Sequence, residues 1–275
     1  MSVDELARVA APIALTAFAL LLVLQWRYPL RPATAPELRR VVMNLLAGAP
    51  GILVSQLAVL PIGLATIAWT TRNHFGLIEW LRLWWPATPF WLEAALGFLL
   101  LDLTFYYWHR LNHTIPLLWR FHNFHHVDPE MDVSTAWRFH FGEMALSSLF
   151  RVVQLGLAGI SFPVYWIFEV CFAVEVQFHH SNWRLPFPVE QALNRILVTP
   201  RMHELHHSIV HRETDSNYSS VFSWWDRLNG SFTASRPDRK VTIGVPAYRD
   251  PSEHSLGKLW LLPFVKQRDY WRAEL

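Results

Sequence analysis

Long apolar runs separated by short polar segments dominate the chain up to about residue 180. The runs cover residues 10–24, 41–69, 90–108 and 146–178. A helix needs about 20 apolar residues to cross the hydrocarbon core of a bilayer, and soluble cores rarely contain several runs of that order. The pattern predicts an all-α protein that forms an integral membrane helical bundle.

The last of these runs, residues 146–178, is too long for a single crossing. Residues 159–163 interrupt it with Gly-Ile-Ser-Phe-Pro, and glycine and proline end or kink helices. We therefore predict a helical hairpin that returns to its starting side and keeps His113 and His179 on one side of the membrane. With the hairpin included, we expect about four to five crossings.

The composition agrees with a membrane location. Hydrophobic residues make up 52% of the chain and charged residues 17%, against about a quarter charged in soluble domains. Many of the 15 tryptophans lie near the ends of the apolar runs, as in the aromatic belt of a membrane interface, although core packing would place some of them there too. There is no basic tract, so we expect no nucleic acid partner.

Charge placement predicts the orientation of the helices. Four arginines lie between the first two runs: Arg27, Arg31, Arg39 and Arg40. Positive loops stay in the cytoplasm, which puts the N-terminus outside and the segment after the third run in the cytoplasm. Asp4 and Glu5 precede the first run without a small-residue cleavage site, so we expect an anchor rather than a removable signal.

The last third of the chain is more polar and predicts a cytosolic, histidine-rich cap. Its segments 189–198 and 255–265 are short and amphipathic, suited either to the membrane surface or to packing within the cap. We expect three regions: an N-terminal transmembrane anchor region over residues 1–89, a catalytic domain over residues 90–232, and a cytosolic or interfacial tail over residues 233–275.

Twelve of the 14 histidines lie between residues 109 and 211 and come in groups. Clustered imidazoles without metal would leave ring nitrogens unsatisfied in a partly apolar site, whereas neutral imidazole is a common metal ligand. Ten of them exceed what one ion can hold, so we predict two metal ions. The predicted ligands are His109, His113, His122, His125, His126, His179, His180, His203, His206 and His207. Imidazole alone does not choose between zinc, copper, iron and nickel.

One segment also matches a zinc peptidase signature. Residues 203–207 read His-Glu-Leu-His-His, which contains H-E-x-x-H, and in that interpretation His203 and His207 hold zinc while Glu204 is the general base. The match is easily made by chance in a histidine-rich segment, and it leaves the other histidines unexplained. A membrane zinc-dependent hydrolase or metallopeptidase is therefore the alternative. Otherwise Glu204 supports a ligand or is a surface charge.

Carboxylates on the same helices are candidates for orienting the imidazoles. Asp102 lies seven residues before His109 and therefore on the same helix face. An intramembrane carboxylate is costly enough to favour a function. Glu175, one turn before His179, raises the same possibility, as does Glu169 on the same helix. The lone Cys171 excludes an internal disulfide and a thiolate metal site.

Several segments carry a resemblance to a known family. They are DLTFYYWHRLNH (102–113), LWRFHNFHHVDPEMDVSTAWRFHFGE (118–143), QFHHSNWRLP (177–186), VTPRMHELHH (198–207) and NYSSVFSWWDRLNGSF (217–232). In this order and spacing they resemble the fatty acid hydroxylase/sterol desaturase superfamily of integral membrane di-iron enzymes. The family tends to have Asn-Tyr-Gly where this chain has Asn217-Tyr218-Ser219.

The resemblance implies a role for each histidine box. His109 and His113 correspond to the first box. The second box comprises His122, His125 and His126, the last comprises His203, His206 and His207, and between them His180 fits best, with His179 close behind. His140 stands where the family often has a histidine and is followed by Glu143 in H-x-x-E. We keep a further set as possible ligands or supports of ligands: His140, Asp102, Glu143 and Glu175.

The resemblance also implies an activity and its partners. The expected enzyme is a di-iron oxygenase with two iron ions, in a site that zinc can also occupy. It would use O₂ to hydroxylate or desaturate a C–H bond of a lipid, with no catalytic residues beyond the metal ligands. Sterols, fatty-acyl lipids and alkyl lipids all fit this expectation. A separate reductase, ferredoxin or cytochrome would supply electrons to an active site on the cytoplasmic side.

Overall fold

The computed structural model describes residues 3–33 and 35–272, with side chains from residue 9 onward, and contains no strand within those ranges. The helices of the first half are α1 Val3–Arg27, α2 Glu37–Val54, α3 Leu60–Asn73, α4 Leu77–Trp84, α5 Phe90–Thr114 and α6 Pro116–His126. Those of the second half are α7 Phe141–Ala158, α8 Phe162–His180, α9 Phe187–Leu193, α10 Pro200–His206, α11 His211–Thr214, α12 Trp224–Leu228 and α13 Leu256–Leu261. Short 3₁₀ turns cover Val133–Trp137, Pro246–Tyr248, Pro251–His254 and Leu262–Phe264.

Three stretches of the described chain are long and apolar enough to cross a membrane: Val9–Arg27, Glu37–Trp84 and Phe90–Thr114. These helices confirm the predicted all-α membrane bundle. The number of crossings, and the side on which the histidines lie, stay predictions.

A π-helical turn, Ser55–Val59, joins α2 to α3 without ending the helix. The amide of Leu60 donates to the carbonyl of Ser55, five residues earlier. The turn lies just before Pro61, which has no amide to donate and whose ring crowds the carbonyl four residues back. A wider turn accommodates that ring, so the apolar run continues as one long helical path.

Helices α7 and α8 form the hairpin that the sequence predicts. Gly159 ends α7 in the left-handed conformation at φ 59°, and its amide donates to the carbonyl of Leu155 at 2.9 Å. A side chain at Gly159 would also strike the backbone of Phe75 and Gly76, so only glycine fits there. The hairpin lets α7 begin beside the histidines and brings α8 back to end at His180.

The helices pack closely around the histidine end of the bundle. α1 contacts α8, α2 and α3 contact α7, and α5 contacts α6, α7 and α8. The core between α5, α7 and α8 includes Leu101, Leu155 and Phe168, which are fully buried. These contacts fix the relative heights of α5 and α8, and therefore of the histidines at their ends.

The two amphipathic segments of the cap pack against other parts of the protein. Leu259 and Leu262, from the segment 255–265, are buried in a cluster with Trp119 and Phe124 of α6. In the segment 189–198, the buried Glu190 accepts a hydrogen bond from the amide of Arg201 at 2.8 Å. The segment 255–265 therefore packs against α6 through Leu259 and Leu262, while Leu261 and Phe264 remain exposed.

Candidate metal centre

Nine of the ten histidines predicted as ligands meet in two adjacent groups. The five-histidine group contains His109, His113, His122, His126 and His206. The four-histidine group contains His125, His180, His203 and His207. Within each group, one ring nitrogen of every histidine lies within 4.8 Å of those of the others. The groups touch where the rings of His126 and His207 stack at 4.2 Å.

Helix geometry divides each H-x-x-H-H box between the two groups. On α6, His122 and His126 are four residues apart, share one face of the helix and enter the five-histidine group. His125 is rotated by about 100° from His126 and enters the other group. The last box is divided in the reverse way. Its outer pair, His203 and His207, joins the four-histidine group, and His206 joins the five-histidine group. The motif thus serves both groups from one short helix.

Backbone carbonyls hold several of the rings from behind. The Nδ1 atoms donate to carbonyl oxygens as follows: His109 to Tyr218 at 2.7 Å, His206 to Ser216 at 2.7 Å, His125 to Arg138 at 3.1 Å, and His180 to Val176 at 2.7 Å. A carbonyl oxygen can only accept, so each of these Nδ1 atoms carries the ring proton. In a neutral ring Nε2 is then a bare lone pair, which is the form that binds metal.

Those lone pairs face one another across each group. The Nε2 atoms of His109 and His206 are 3.1 Å apart, and those of His125 and His180 are 3.0 Å apart. Burial, together with the neighbouring imidazoles, lowers the pKa of His206 to about 3, so the ring is neutral at physiological pH. Two lone pairs at that distance repel unless a cation lies between them. The donor set therefore fits metal ions held by imidazole nitrogen.

Glu143 lies where the sequence prediction placed a support for the ligands. It is buried in the first turn of α7, and its Oε1 accepts a hydrogen bond from Nδ1 of His122 at 2.9 Å. The Nε2 of His122 has no hydrogen-bond partner among the described residues and lies in the five-histidine group. A carboxylate behind an imidazole fixes its tautomer and raises its basicity as a ligand.

His140 does not reach either group. Its Nδ1 accepts a hydrogen bond from the amide of Gly142 at 3.0 Å, which makes it the N-cap of α7, and its Nε2 donates to the carbonyl of Trp260 at 3.0 Å. Both ring nitrogens are therefore engaged. Instead of the ligand or support for a ligand that the sequence suggested, the structure shows a helix cap that also ties α7 to α13.

His179 is the one predicted ligand outside both groups. Its buried ring lies 4.2 Å from that of His203 and 4.7 Å from that of His180. Consecutive residues of a helix point about 100° apart, so the end of α8 can direct only one of its two histidines at the four-histidine group. That residue is His180, and His179 lies beside the group, while both rings line the neighbouring cavity.

Asp102 and Glu175 are buried, and neither forms a hydrogen bond with an imidazole of the described residues. Asp102 accepts hydrogen bonds from the amides of Val221 and Phe222 at 3.2 and 3.0 Å, and from the indole of Trp225 at 2.7 Å. It therefore fastens the loop after the last box to α5. The Oε1 of Glu175 has no hydrogen-bond partner within the described part of the chain.

Glu204 is neither a surface charge nor a residue of either histidine group. Its side chain is only 4% exposed and forms an ion pair with Arg31, whose Nη2 also donates to the carbonyl of Met131 at 3.0 Å. The surface interpretation of Glu204 is therefore wrong. The pair joins α10 to the segment after α1, which positions the last histidine box against the rest of the bundle.

Sequence reasoning missed the loop that supplies two of the carbonyls. Asn217 sits between Ser216 and Tyr218 in the left-handed conformation at φ 55°, and Asp226 accepts hydrogen bonds from the amides of Tyr218 and Ser219 at 2.8 Å each. This arrangement turns the carbonyls of Ser216 and Tyr218 toward the histidines. The Asn-Tyr and Trp-Asp pairs of the sequence were the available signal for it.

A cavity of about 350 Å³ leads from the histidines into the helix bundle. Histidines from both groups line one end of it, including His109, His122, His125, His180 and His203. Its walls include the aromatic side chains of Phe105, Trp108, Phe150 and Phe172 from α5, α7 and α8. Binding sites of this size are typically apolar with a few polar groups. An apolar chain in this cavity would lie next to the two histidine groups.

Comparison with known proteins agrees with this geometry. The sequence model of the family described as "Fatty acid hydroxylase" matches residues 94–231, half of the chain. The chain belongs to this family. The region matched contains both histidine groups in full, together with Glu143 and the 216–226 loop.

Several curated proteins are similar to this member of the family. The ornithine lipid hydroxylase OlsE of Rhizobium tropici is 30% identical over 67% of this chain and 54% of its own. The alkylglycerol monooxygenase of Danio rerio is 30% identical over 71% of this chain and 42% of its own. The cholesterol 25-hydroxylase of Homo sapiens is 26% identical over 51% of this chain and 52% of its own. The chain thus spans about half, or less, of the length of these relatives. No solved structure matches it significantly.

The family membership confirms the resemblance predicted from the histidine boxes. The names of the family and of the relatives indicate a hydroxylase or oxygenase. The apolar helices indicate a membrane protein, and the histidine groups are compatible with metal binding.

Proposed function

We propose that the protein is a membrane-bound di-iron oxygenase that hydroxylates or desaturates a C–H bond of a lipid. The observation that carries the proposal is the convergence of imidazole lone pairs, from distant parts of the chain, on two touching groups at one end of an apolar cavity. Two adjacent metal sites facing an apolar cavity suit chemistry on an unactivated carbon.

The two histidine groups would each hold one iron. The irons would supply O₂ activation and removal of hydrogen from the substrate carbon, with an alcohol or an alkene as the product. The chain's residues do the rest. Carbonyls and Glu143 fix the tautomers of the ligands, and the aromatic walls of the cavity exclude water and hold the apolar part of a lipid beside the histidines.

The substrate class follows from the cavity and from the relatives. Their names describe hydroxylation or monooxygenation of an ornithine lipid, an alkylglycerol and cholesterol. A sterol, fatty-acyl or alkyl lipid is therefore the proposed substrate. Electrons would come from a separate reductase, ferredoxin or cytochrome. The arginines between the first two helices favour an active site on the cytoplasmic side of the membrane.

The structure disfavours the zinc peptidase alternative. A peptidase needs Glu204 free to take a proton from metal-bound water, whereas Glu204 is buried in an ion pair with Arg31. His203 and His207 do not form a separate site either, since they share a group with His125 and His180. Glu204 therefore has a structural partner, and its neighbours belong to the larger histidine cluster.

Lipid profiling of cells with and without the protein tests the proposed function. Cells that express it should accumulate a lipid that has gained one oxygen atom or lost two hydrogen atoms. Cells that express the His125→Ala variant should not, because this substitution removes a nitrogen from the four-histidine group. Identical lipid profiles in all three strains, with the protein present in the membrane, would refute the proposal.

A further inference from the structure

The end of the cavity remote from the histidines is polar. Arg151 of α7 and Glu169 of α8 both line it and form an ion pair at 2.7 Å across the hairpin. The Arg151 side chain is only 7% exposed and that of Glu169 29%. Charged groups are costly within an apolar helix bundle and are by default candidates for a function.

Two other segments add polar groups to the lining. Ser147 lies one turn before Arg151 on α7 and therefore on the same face. Ser55 and Gln56 come from the π-helical turn between α2 and α3, and such turns occur frequently at functional sites. Polar side chains from three segments thus line this part of the cavity, beside the aromatic side chains of Phe105 and Phe172.

The guanidinium of Arg151 is held in place and keeps donors for a ligand. Its Nη1 donates to Oε1 of Gln154 at 2.6 Å, and Gln154 in turn donates to the carbonyl of Leu101 and the hydroxyl of Thr104 on α5. A guanidinium has five N–H donors. Among the described residues only the contact with Gln154 is a hydrogen bond, since Oε1 of Glu169 pairs with Arg151 by charge but has no hydrogen-bond partner. Both groups therefore have the capacity to bind a further polar group.

Helix geometry gives the separation between the polar end and the metal groups. Arg151 lies eight residues along α7 from Glu143, which contacts His122, and this corresponds to about 12 Å. Glu169 lies eleven residues along α8 from His180, or about 16 Å. A molecule that spans the cavity would have an apolar body of this length, with one end at the histidines and the other at the ion pair.

We propose that Arg151 and Glu169 form a binding subsite for an uncharged polar group, such as a hydroxyl, at the end of the lipid substrate remote from the attacked carbon. A hydroxyl can accept from Arg151 and donate to Glu169 at once. The pair is neutral overall, which favours such a group over an ionised headgroup. The placing of the attacked carbon at the histidines rests on the proposed function, whereas binding of the polar group at the subsite does not.

A purely structural role for the pair makes a different prediction. If Arg151 and Glu169 only clamp α7 to α8, their removal lowers stability equally with and without a polar lipid. If they bind the lipid, their removal abolishes a preference for the polar lipid over its apolar counterpart. Affinity for a matched pair of probes therefore separates the two roles.

The test measures binding of 1-tetradecanol and of tetradecane to the full-length protein in lipid nanodiscs. Affinity is obtained from the rise in the unfolding temperature as each probe is added. The Arg151→Met/Glu169→Gln double variant removes both charges together and so leaves no unpaired buried ion. Val153→Leu is the control, since Val153 is 59% exposed on the outer face of α7.

We expect the wild type and Val153→Leu to bind the alcohol about tenfold more tightly than the alkane. In the double variant the two affinities should agree within about twofold. Glu169→Gln, which keeps the size of the side chain and its capacity for hydrogen bonds, should reduce the preference for the alcohol about threefold. This single variant replaces the double variant in the test if the double variant does not fold. An alcohol preference that is absent from the wild type, or that survives in the variants, would overturn the subsite.

The same measurement separates the subsite from the proposed function. We expect the metal-free protein to keep the alcohol preference, because the pair is distant from the histidines. If that preference is present but the protein shows no O₂-dependent turnover, the proposed function fails and the subsite stands. If turnover is present without the preference, the subsite fails and the function stands.

Discussion

His109 and His206 are 97 positions apart in the chain, and their Nε2 atoms lie 3.1 Å apart. The opposite nitrogen of each ring donates to a carbonyl of one short loop, that of Tyr218 for His109 and that of Ser216 for His206. Neither Nε2 therefore carries a proton, and the two lone pairs converge on one point. The loop thus prepares a position for a cation from two remote parts of the sequence.

Replacing His206 with Ala should remove metal and turnover together. The substitution deletes a nitrogen from the five-histidine group, so we expect the metal content to fall by at least half and lipid turnover by about 100-fold or more. Elemental analysis and product formation check both results. The matched control is His211→Ala, since the His211 side chain is 58% exposed. Full activity in His206→Ala would remove this residue from the proposed ligand set.

Glu143→Ala should weaken metal binding without abolishing it. The carboxylate accepts the hydrogen bond from His122, and loss of such a partner typically costs about 10- to 100-fold in metal affinity or activity. Glu143→Gln keeps an oxygen acceptor and should lie between Ala and the wild type. Metal titration of the metal-free protein measures the effect. Equal affinities in all three proteins would show that the contact does not tune the site.

Glu204→Gln should lower stability and spare turnover. The substitution leaves Arg31 without its buried carboxylate partner, and breaking a buried pair costs about 3–5 kcal/mol. Thermal unfolding in detergent measures this loss, and adding Arg31→Met should recover part of it. Turnover per folded molecule should stay within about threefold of the wild type. If turnover instead fell about 100-fold while stability was unchanged, Glu204 would act as a general base, as the peptidase alternative requires.

His140→Ala should reduce stability by about 0.5–2 kcal/mol through loss of the α7 cap. The side chain accepts from the amide of Gly142 and donates to the carbonyl of Trp260, and we expect the metal content to be unchanged. His140→Asn should restore most of the stability, because asparagine is a favoured N-cap. Loss of metal in both variants would instead make His140 a ligand.

Asp102→Asn should loosen the 217–232 loop beside the histidine groups. The carboxylate accepts from two backbone amides and one indole, and an asparagine would turn an NH₂ group toward some of these donors. We expect a loss of about 1–3 kcal/mol and faster proteolysis within the 217–232 loop. Trp225→Phe removes only one of the donors and should cost about 1 kcal/mol. Unchanged stability in Asp102→Asn would show that the carboxylate does not anchor the loop.

The sequence predicts the helices and the histidine set because both depend on local patterns. Apolar runs, and the breakers at residues 159–163, are sufficient to predict the hairpin of α7 and α8. Helical spacing likewise shows that His122 and His126 share a face. The assignment of His206 to the same group cannot be read from spacing, because it depends on how α10 docks against α5 and α6.

The contacts behind the histidines were less accessible to sequence reasoning. The carbonyls of Arg138 and Val176 carry no side-chain signature, so nothing in the residue type marks them as partners of a ligand. Ion pairs such as Arg31 with Glu204 join positions 173 residues apart, and only the tertiary fold brings them together. The same limit explains why His140, which looks like a ligand in the sequence, proves to be a helix cap.

Metal and oxygen analysis of one preparation tests the central claim most directly. The full-length protein would be purified without added metal, assayed for bound metals, and supplied with extracted membrane lipids, an electron source and O₂. The account predicts about two irons per chain and oxygen uptake matched by a hydroxylated or desaturated lipid. Active protein that retains stoichiometric zinc and consumes no oxygen would contradict it.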